Sequence, residues 1–434
     1  MGEGQGGWEP IDRPVWLHEA DRKIFSKGKG VQTMTASSSK PPLEGIRVVD
    51  LSRVLAGPYC GAMLADLGAD VIKVEEINTG DEIRTWPPVQ NGESAAFIVN
   101  NRNKRGMAVD MKAPEGAGII RRLAGLSDVL IENFRTGTME EFGLGYESLA
   151  GLNPRLIYCS ISAFGRSGPR AKEAGYEAVM QAFSGIMSIT GETGGQPVRC
   201  GVSFLDLSTS IFCAFGIVTA LYNRKETGLG QRLDGTLLST ALGLLNYHAE
   251  NYYYAGAVSR ALGSAHPSLC PYRNFRCADN QWIFIAGGND RLWKRMANAL
   301  GLGPLVDDPK FATNPERVKN RQELEAIVQE AVDRFDRPTL LRTLEAASVP
   351  ATPVNTIDQV LQDPQVDALK MVWQMPHAVK GNLPVVAFPL AFSRMTASLH
   401  RNPPRLGEHT EEVLGEIGYG QEEIAQLRQK KVIL

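Results

Sequence analysis

From residue 43 onward, apolar positions along the chain follow two alternating rhythms. Short, mostly apolar runs at 46–51, 70–74, 107–111, 129–131 and 156–161 predict buried strands, because strands covered on both faces need few polar positions. Between them, residues 59–67, 115–126 and 146–152 repeat apolar positions at the spacing of one helix face. Residues 179–189 and 207–224 predict longer buried helices. Strands alternating with helices build parallel βαβ units, so the expected fold class is α/β with an open, doubly wound sheet. The pattern changes between about 226 and 354. Aromatics become more frequent, glycines dot 256–268, an Asp279-Asn280-Gln281 turn precedes a strand at 282–286, and a charged helix follows at 321–335. This predicts a second, smaller α+β domain. Loop signals return after Pro350 and Pro353, and charged amphipathic helices close the chain at 410–417 and 422–430. The expected layout is a leader at 1–40, a large domain at 41–225, a small domain at 226–354 and a last segment at 355–434.

Composition narrows the class. The 434 residues are 43% hydrophobic and 22% charged, ordinary for a chain with a sizeable core. A net charge of −2 supplies no global attraction to nucleic acid or an anionic membrane. The apolar run at 211–221 is too short to cross a bilayer, so a soluble protein is expected. Six scattered cysteines show neither a C-x-x-C pair nor metal-ligand spacing, and read as buried thiols of a reducing compartment. Residues 1–40 are rich in Gly, Ser and Lys without periodicity, which predicts disorder. Their acids (Glu3, Glu9, Asp12, Glu19, Asp21) do not suit a mitochondrial transit peptide. A cytoplasmic location is expected, with the mitochondrial alternative open.

Candidate chemistry concentrates between residues 158 and 210. Glu177 and Asp206 lie there among glycine-rich turns, and no histidine occurs between His18 and His248. Paired carboxylates can serve as acid and base on a glycoside, but such sites bring sugar-stacking aromatics that are sparse here. A carboxylate can instead be a nucleophile that carries a covalent acyl group. The bland alternative is that Asp206 caps the following helix and Glu177 pairs locally. Gly57-Pro58-Tyr59-Cys60-Gly61 opens a helix after the first strand. It is either a tight turn or a helix N-terminus facing a phosphate or pantetheine chain. The basic stretch Asn100 to Gly106 is either a solvated loop or a polyanion site. Asn133-Phe134 sits at a strand's carboxyl end, where open α/β sheets bind ligands. His266 lies in a glycine-bearing loop, structural or catalytic.

Taken in order, Val54-Leu55-Ala56-Gly57-Pro58, Leu67 to Glu75, Gly80-Asp81, Asn103-Lys104-Arg105, Glu132-Asn133-Phe134, Gly165 to Glu177 and Pro404 to Thr410 resemble class III (CaiB–BaiF type) CoA-transferases. The resemblance runs from about residue 42 to the C-terminus. It is closest in appearance to the succinyl-CoA:glutarate (dicarboxylate) branch at 197–206 and 263–272. It implies a Rossmann-like large domain built from both chain ends, a smaller α+β domain and an interlocked homodimer. It implies Asp206 as nucleophile, supported by Glu177, Tyr176, Gly263 and His266. CoA contacts are implied at Val54, Leu55, Lys104, Arg105, Val109, Lys112, Asn133 and Phe134. Acyl-CoA and a small carboxylic acid are the implied partners, with no permanently bound cofactor, no metal, no nucleic acid and no membrane. Glu76 and Glu141 stand where some members carry basic residues, so Lys104, Arg105 and Lys112 are expected to hold the phosphates. Arg199 or His266 could clamp a dicarboxylate. A racemase or epimerase acting on α-methylacyl-CoA is the runner-up. It normally needs a histidine opposite a carboxylate, which the empty histidine window does not supply. A non-catalytic CoA-binding protein is the third reading.

Overall fold

The computed structural model describes residues 40–377 and 380–434; the expected leader at 1–40 lies, but for Lys40, outside them. Six parallel strands form the main sheet: β1 (Arg47–Asp50), β2 (Asp70–Glu75), β3 (Lys104–Ala108), β4 (Val129–Glu132), β5 (Ile157–Ser162) and β6 (Arg232–Thr236). Their spatial order is 3-2-1-4-5-6, the doubly wound order of Rossmann folds. Register sets Val48 beside both Val71 and Val129, so these three valines form a row on one face. Their neighbours Val49, Ile72 and Leu130 form the matching row on the other, as the two-residue period of a strand requires.

Each face acquires its own cover. The row containing Val48 packs against α1 (Ala56–Asp66) and a 24-residue helix, here α3 (Phe204–Thr227). The row containing Val49 is covered by Ile119, Ile120 and Leu123 and by Val413, Leu414, Ile424, Leu427 and Ile433 from the end of the chain. The chain's last segment therefore completes the large sheet. Edge strand β3 is capped the same way, since Gly106 N–H donates to His409 Nδ1 at 3.1 Å and Ala108 N–H to Thr410 Oγ1 at 3.1 Å.

Helix α3 extends beyond the 207–224 expected. Its buried residues, among them Leu205, Thr209, Cys213, Ile217 and Arg224, recur every fourth position or so. Over its best 18 residues the mean hydropathy is 1.8, so by length and composition it could cross a membrane, contrary to the short run read from the sequence. Its inner face instead lies on the sheet, where Arg224 reaches Asp128 Oδ1 at 2.7 Å.

A separate core, built on Phe275, Ile283, Ile285, Trp293, Leu324, Val328, Leu340 and Leu344, lies around an antiparallel sheet of Tyr272–Arg276, Trp282–Ala286 and Ala351–Pro353. The boundary expected at 226 falls too early. Residues 232–236 are β6, paired with β5, and helix α4 (Leu237–Leu245) packs against α3. The sequence Arg-Leu-Asp-Gly-Thr lacks the apolar run that marks the other strands, because β6 closes an edge.

Candidate active site

Open α/β sheets bind ligands where the strand order reverses, here between the carboxyl ends of β1 and β4. The loop after β1 is held rigidly there. Lys73 Nζ bonds Asp81 Oδ2 at 2.9 Å and also reaches the carbonyl of Ser52. Asp81 accepts the N–H of Val54 at 3.1 Å, and its own N–H donates to Glu75 at 2.9 Å. Arg84 grips both oxygens of Glu75 at 2.7 Å. This lattice keeps Val54 at φ 70°, a left-handed conformation that a β-branched residue adopts only under constraint. Strain of this sort costs about 1–3 kcal/mol and persists where surroundings over-determine it. Asn133 completes the loop's support: it accepts from Arg53 N–H at 2.8 Å and donates to Arg53 O at 2.7 Å.

The glycines of 57–61 now have a mechanical reason. A Cβ on Gly57 would collide with Ser52, and one on Gly61 would sit 3.0 Å from Asp50 Oδ2 and 3.3 Å from Lys104 Nζ. They let α1 approach the buried Asp50–Lys104 pair, while Leu55 and Ala56 at its start face the cleft. The tight-turn reading of the motif has this steric basis.

The carboxylate pair closes the other side. Ser203 occupies the cap of α3 without a side-chain cap bond, and Asp206 lies within the first turn, so Asp206 is not the N-cap. Ser210 Oγ donates to Asp206 O at 2.8 Å and to Ala56 O at 2.6 Å, tying α3 to α1. Glu177 is buried as the first residue of α2 (Glu177–Phe183). Its Oε1 accepts Gln181 Nε2 at 2.6 Å and Leu205 N–H at 3.4 Å. Gln181 is fully buried and uses its other end to accept Cys200 N–H at 2.9 Å. Gln181 thereby ties Glu177 to the segment leading into Asp206. Sequence reading missed this residue, although the i, i+4 spacing from Glu177 puts both on one helix face.

Asp206 is half-buried and makes no side-chain hydrogen bond with the described residues. Desolvation first, and the Glu177 charge second, raise its pKa to about 7. The positive end of α3 works against that rise. At neutral pH a sizeable fraction is ionised, and unengaged carboxylate oxygen is what a nucleophile needs.

Asp206, Glu177, Tyr176, Val54, Leu55, Asn133 and Phe134 all line one cleft of about 340 Å³. Others are placed elsewhere. Lys104 is fully buried and spends its three protons on Asp50 at 2.8 Å, Pro58 O at 2.7 Å and Asn101 Oδ1 at 2.9 Å. Arg105 is buried against Asp70, Glu412 and Glu416. Both were expected on phosphate, yet a fully engaged internal cation has no donors to offer one. Val109 is core, and Lys112 is exposed without lining the cleft. Glu76 binds its own turn through Asn78 and Thr79, and neither it nor Glu141 faces the cleft. Gly263 and His266 line a separate cavity of about 310 Å³. The cleft's cations are Arg53, Arg135 and Lys172, none singled out from sequence. Arg53 lies over the Phe134 ring at 4.9 Å. Among the described residues no histidine lines the cleft.

Comparison with known proteins gives the same direction. Residues 43–410 match the family described as CoA-transferase family III. The chain is 42% identical to a succinate–glutarate CoA-transferase of Agrobacterium fabrum over 385 residues, 87% of this chain and 96% of that protein. It is 39% identical to the succinyl-CoA:glutarate CoA-transferase of Homo sapiens, covering 90% of each. A solved CaiB/BaiF family protein from Brucella suis superimposes with a TM-score of 0.79 at 40% identity, over 87% of this chain and 100% of that one.

Proposed function

The chain belongs to CoA-transferase family III, and we propose that it moves CoA from succinyl-CoA to a free dicarboxylic acid with Asp206 as covalent relay. The observation supporting this most directly is an unengaged, half-buried Asp206 in the cleft at the sheet's switch point. A carboxylate oxygen of Asp206 attacks the thioester carbonyl, and the C–S bond breaks to give a mixed anhydride and CoA thiolate. The thiolate attacks the aspartyl carbonyl, releasing succinate and leaving an aspartyl-CoA thioester. The acceptor carboxylate then attacks that carbonyl, expelling thiolate and forming a second anhydride. Thiolate attack on the acceptor's acyl carbon yields the new acyl-CoA and frees Asp206. No net proton is consumed, so the site needs no histidine.

Splitting one difficult exchange into four displacements is the gain of covalent catalysis. Amides of the first turn of α3 would hold the oxyanion. Glu177, held by Gln181, raises the nucleophile's basicity through its charge. Arg53, Arg135 and Lys172 supply charge for the CoA phosphates in place of Lys104, Arg105 and Lys112. An interlocked homodimer belongs to the same reading: the outer face of α3 leaves Phe212, Phe215 and Tyr222 more than half exposed, apolar area that a second copy would cover. The test is an exchange assay of succinyl-CoA against mono- and dicarboxylic acids, read by mass spectrometry. Glutaryl-CoA and free succinate are expected from glutarate. Loss of α-deuterium from a 2-methylacyl-CoA without any acyl exchange would instead establish the racemase.

A further inference from the structure

The three cations that line the Asp206 cleft stand on three separate loops: Arg53 after β1, Arg135 after β4 and Lys172 after β5. Like charges repel, so a cluster of them opposes its own assembly unless the loops that carry it are fixed. The middle loop is tied to both neighbours. On one side Asn133 exchanges two hydrogen bonds with the backbone of Arg53. On the other, Thr136 Oγ1 donates at 2.7 Å to the carbonyl of Ala171, the residue before Lys172.

Between these ties, Phe134 is gripped at both its backbone groups. Its N–H donates to Glu132 Oε2 at 2.8 Å, and its carbonyl accepts Arg166 Nη1 at 2.7 Å. Arg166 closes the ring by donating from Nη2 to Glu132 Oε1 at 2.6 Å, and its Nε donates to Ser160 Oγ at 2.6 Å. One planar guanidinium therefore joins the carboxyl end of β4, the loop that follows it and strand β5, a fork that a lysine could not reproduce. Arg166 reaches back to these partners because Gly165 turns at φ 102°. A Cβ there would meet nothing nearer than Thr236 Cγ2 at 3.7 Å, so conformation and not space calls for glycine.

Arg166 differs from the three cleft cations in where its charge goes. Its partners Glu132 and Ser160 are buried, and none of Glu132, Ser160 and Arg166 lines the cleft. Its charge is met by Glu132, so it adds no field of its own for a phosphate. What it can determine is the place of Phe134, over whose ring Arg53 lies at 4.9 Å, and of Arg135, the next residue along the chain.

We infer that Arg166, with Glu132, is the positioning residue for the nucleotide end of CoA: it fixes the loop 133–136 so that Arg53, Arg135 and Lys172 converge on the phosphates. The inference rests on the transferase reading for the identity of the ligand. To test it, the full-length protein is titrated calorimetrically with CoA. Acylation by succinyl-CoA, and by succinyl-pantetheine, which lacks the nucleotide, is followed by trapping with hydroxylamine. In Arg166→Gln the Kd for CoA is expected to rise about fivefold or more, with a similar fall in kcat/KM for succinyl-CoA and a change under about twofold for succinyl-pantetheine. Thr136→Val leaves the buried Glu132–Arg166 pair intact and removes only the tie to Ala171. It is expected to show the same pattern at about two- to threefold, and decides the matter if Arg166→Gln does not fold. A Kd for CoA unchanged in the folded variants overturns the inference. An equal loss with both thioesters overturns it too, because Arg166 would then support the reacting end or the fold at large. If the unmodified protein yields no trapped adduct, the transferase reading fails, while the CoA titration still decides the inference.

Discussion

Two sets of carboxylates stand within the same sheet-and-helix frame and do opposite work. Asp50 is fully buried and saturated by Lys104, Ser52 and the nearby Lys73 charge; although burial opposes ionisation, these partners hold its pKa below the usual range. Asp206 is less buried, its carboxylate has no hydrogen-bonding partner among the described residues, and it is pushed up to about 7 by desolvation and by Glu177. Burial alone therefore does not decide whether a carboxylate is scaffold or reagent. The partners do. Asp50, Asp81, Glu75 and their cations bond to one another and to the backbone around the 51–55 loop, while the Asp206 carboxylate has no such partner among the described residues.

The comparison can be broken most severely from the scaffold side. Lys104→Met leaves Asp50 buried without its cation, and removal of one partner of a buried pair costs about 3–5 kcal/mol. A matching fall in urea midpoint at unchanged slope is expected. A change under 1 kcal/mol would mean that Lys104 is not structural. Gln181→Leu comes next. It removes the donor to Glu177 and orphans Cys200 N–H, each buried group costing about 1–3 kcal/mol. Exchange turnover is expected to fall roughly tenfold with the KM for CoA substrates nearly constant, since Gln181 acts through Glu177 and not on the CoA chain.

The pH dependence sharpens the contrast. Unfolded Asp206 ionises near its ordinary 3.8, folded Asp206 near about 7, so the folded state binds the extra proton between those values. Its ionisation therefore lowers stability as pH rises through that window, and the cost is complete above about 7. Asp206→Asn removes that cost, so its melting temperature should climb relative to the unmodified protein from pH 4 to pH 7. In activity, log kcat/KM should rise with pH toward a plateau above about 7. Glu177→Gln should move that limb to lower pH, but only partly, because desolvation is the larger cause. A limb unmoved by Glu177→Gln would separate the two carboxylates. The smallest effect is expected at Lys112: charge reversal should leave the KM for CoA substrates unchanged, whereas Arg53→Ala should raise it.

What the sequence disclosed follows the same division. Strands β1, β2, β4 and β5 are legible because strands buried on both faces must be apolar, while β6 is not, being a polar edge. Asp206, Glu177, Tyr176, Asn133, Phe134, Val54 and Leu55 meet in one cleft because each ends a strand or opens a helix, positions that local pattern reveals. Lys104 and Arg105 were misread because their partners are remote. Asp50 lies 54 residues from Lys104, and Asp70 and Glu416 lie 35 and 311 residues from Arg105. A run of basic residues has the same composition whether it faces solvent, phosphate or buried carboxylates. Arg53, Arg135 and Lys172 escaped notice for the converse reason: isolated cations become a cluster only when β1, β4 and the 165–176 loop converge.

The most direct measurement is to incubate the protein with succinyl-CoA and hydroxylamine and locate the adduct by peptide mass spectrometry. A hydroxamate on Asp206, absent from the Asp206→Ala protein, is the predicted result. An adduct of undiminished yield on the Asp206→Ala protein, or one mapped to Glu177, would contradict the account.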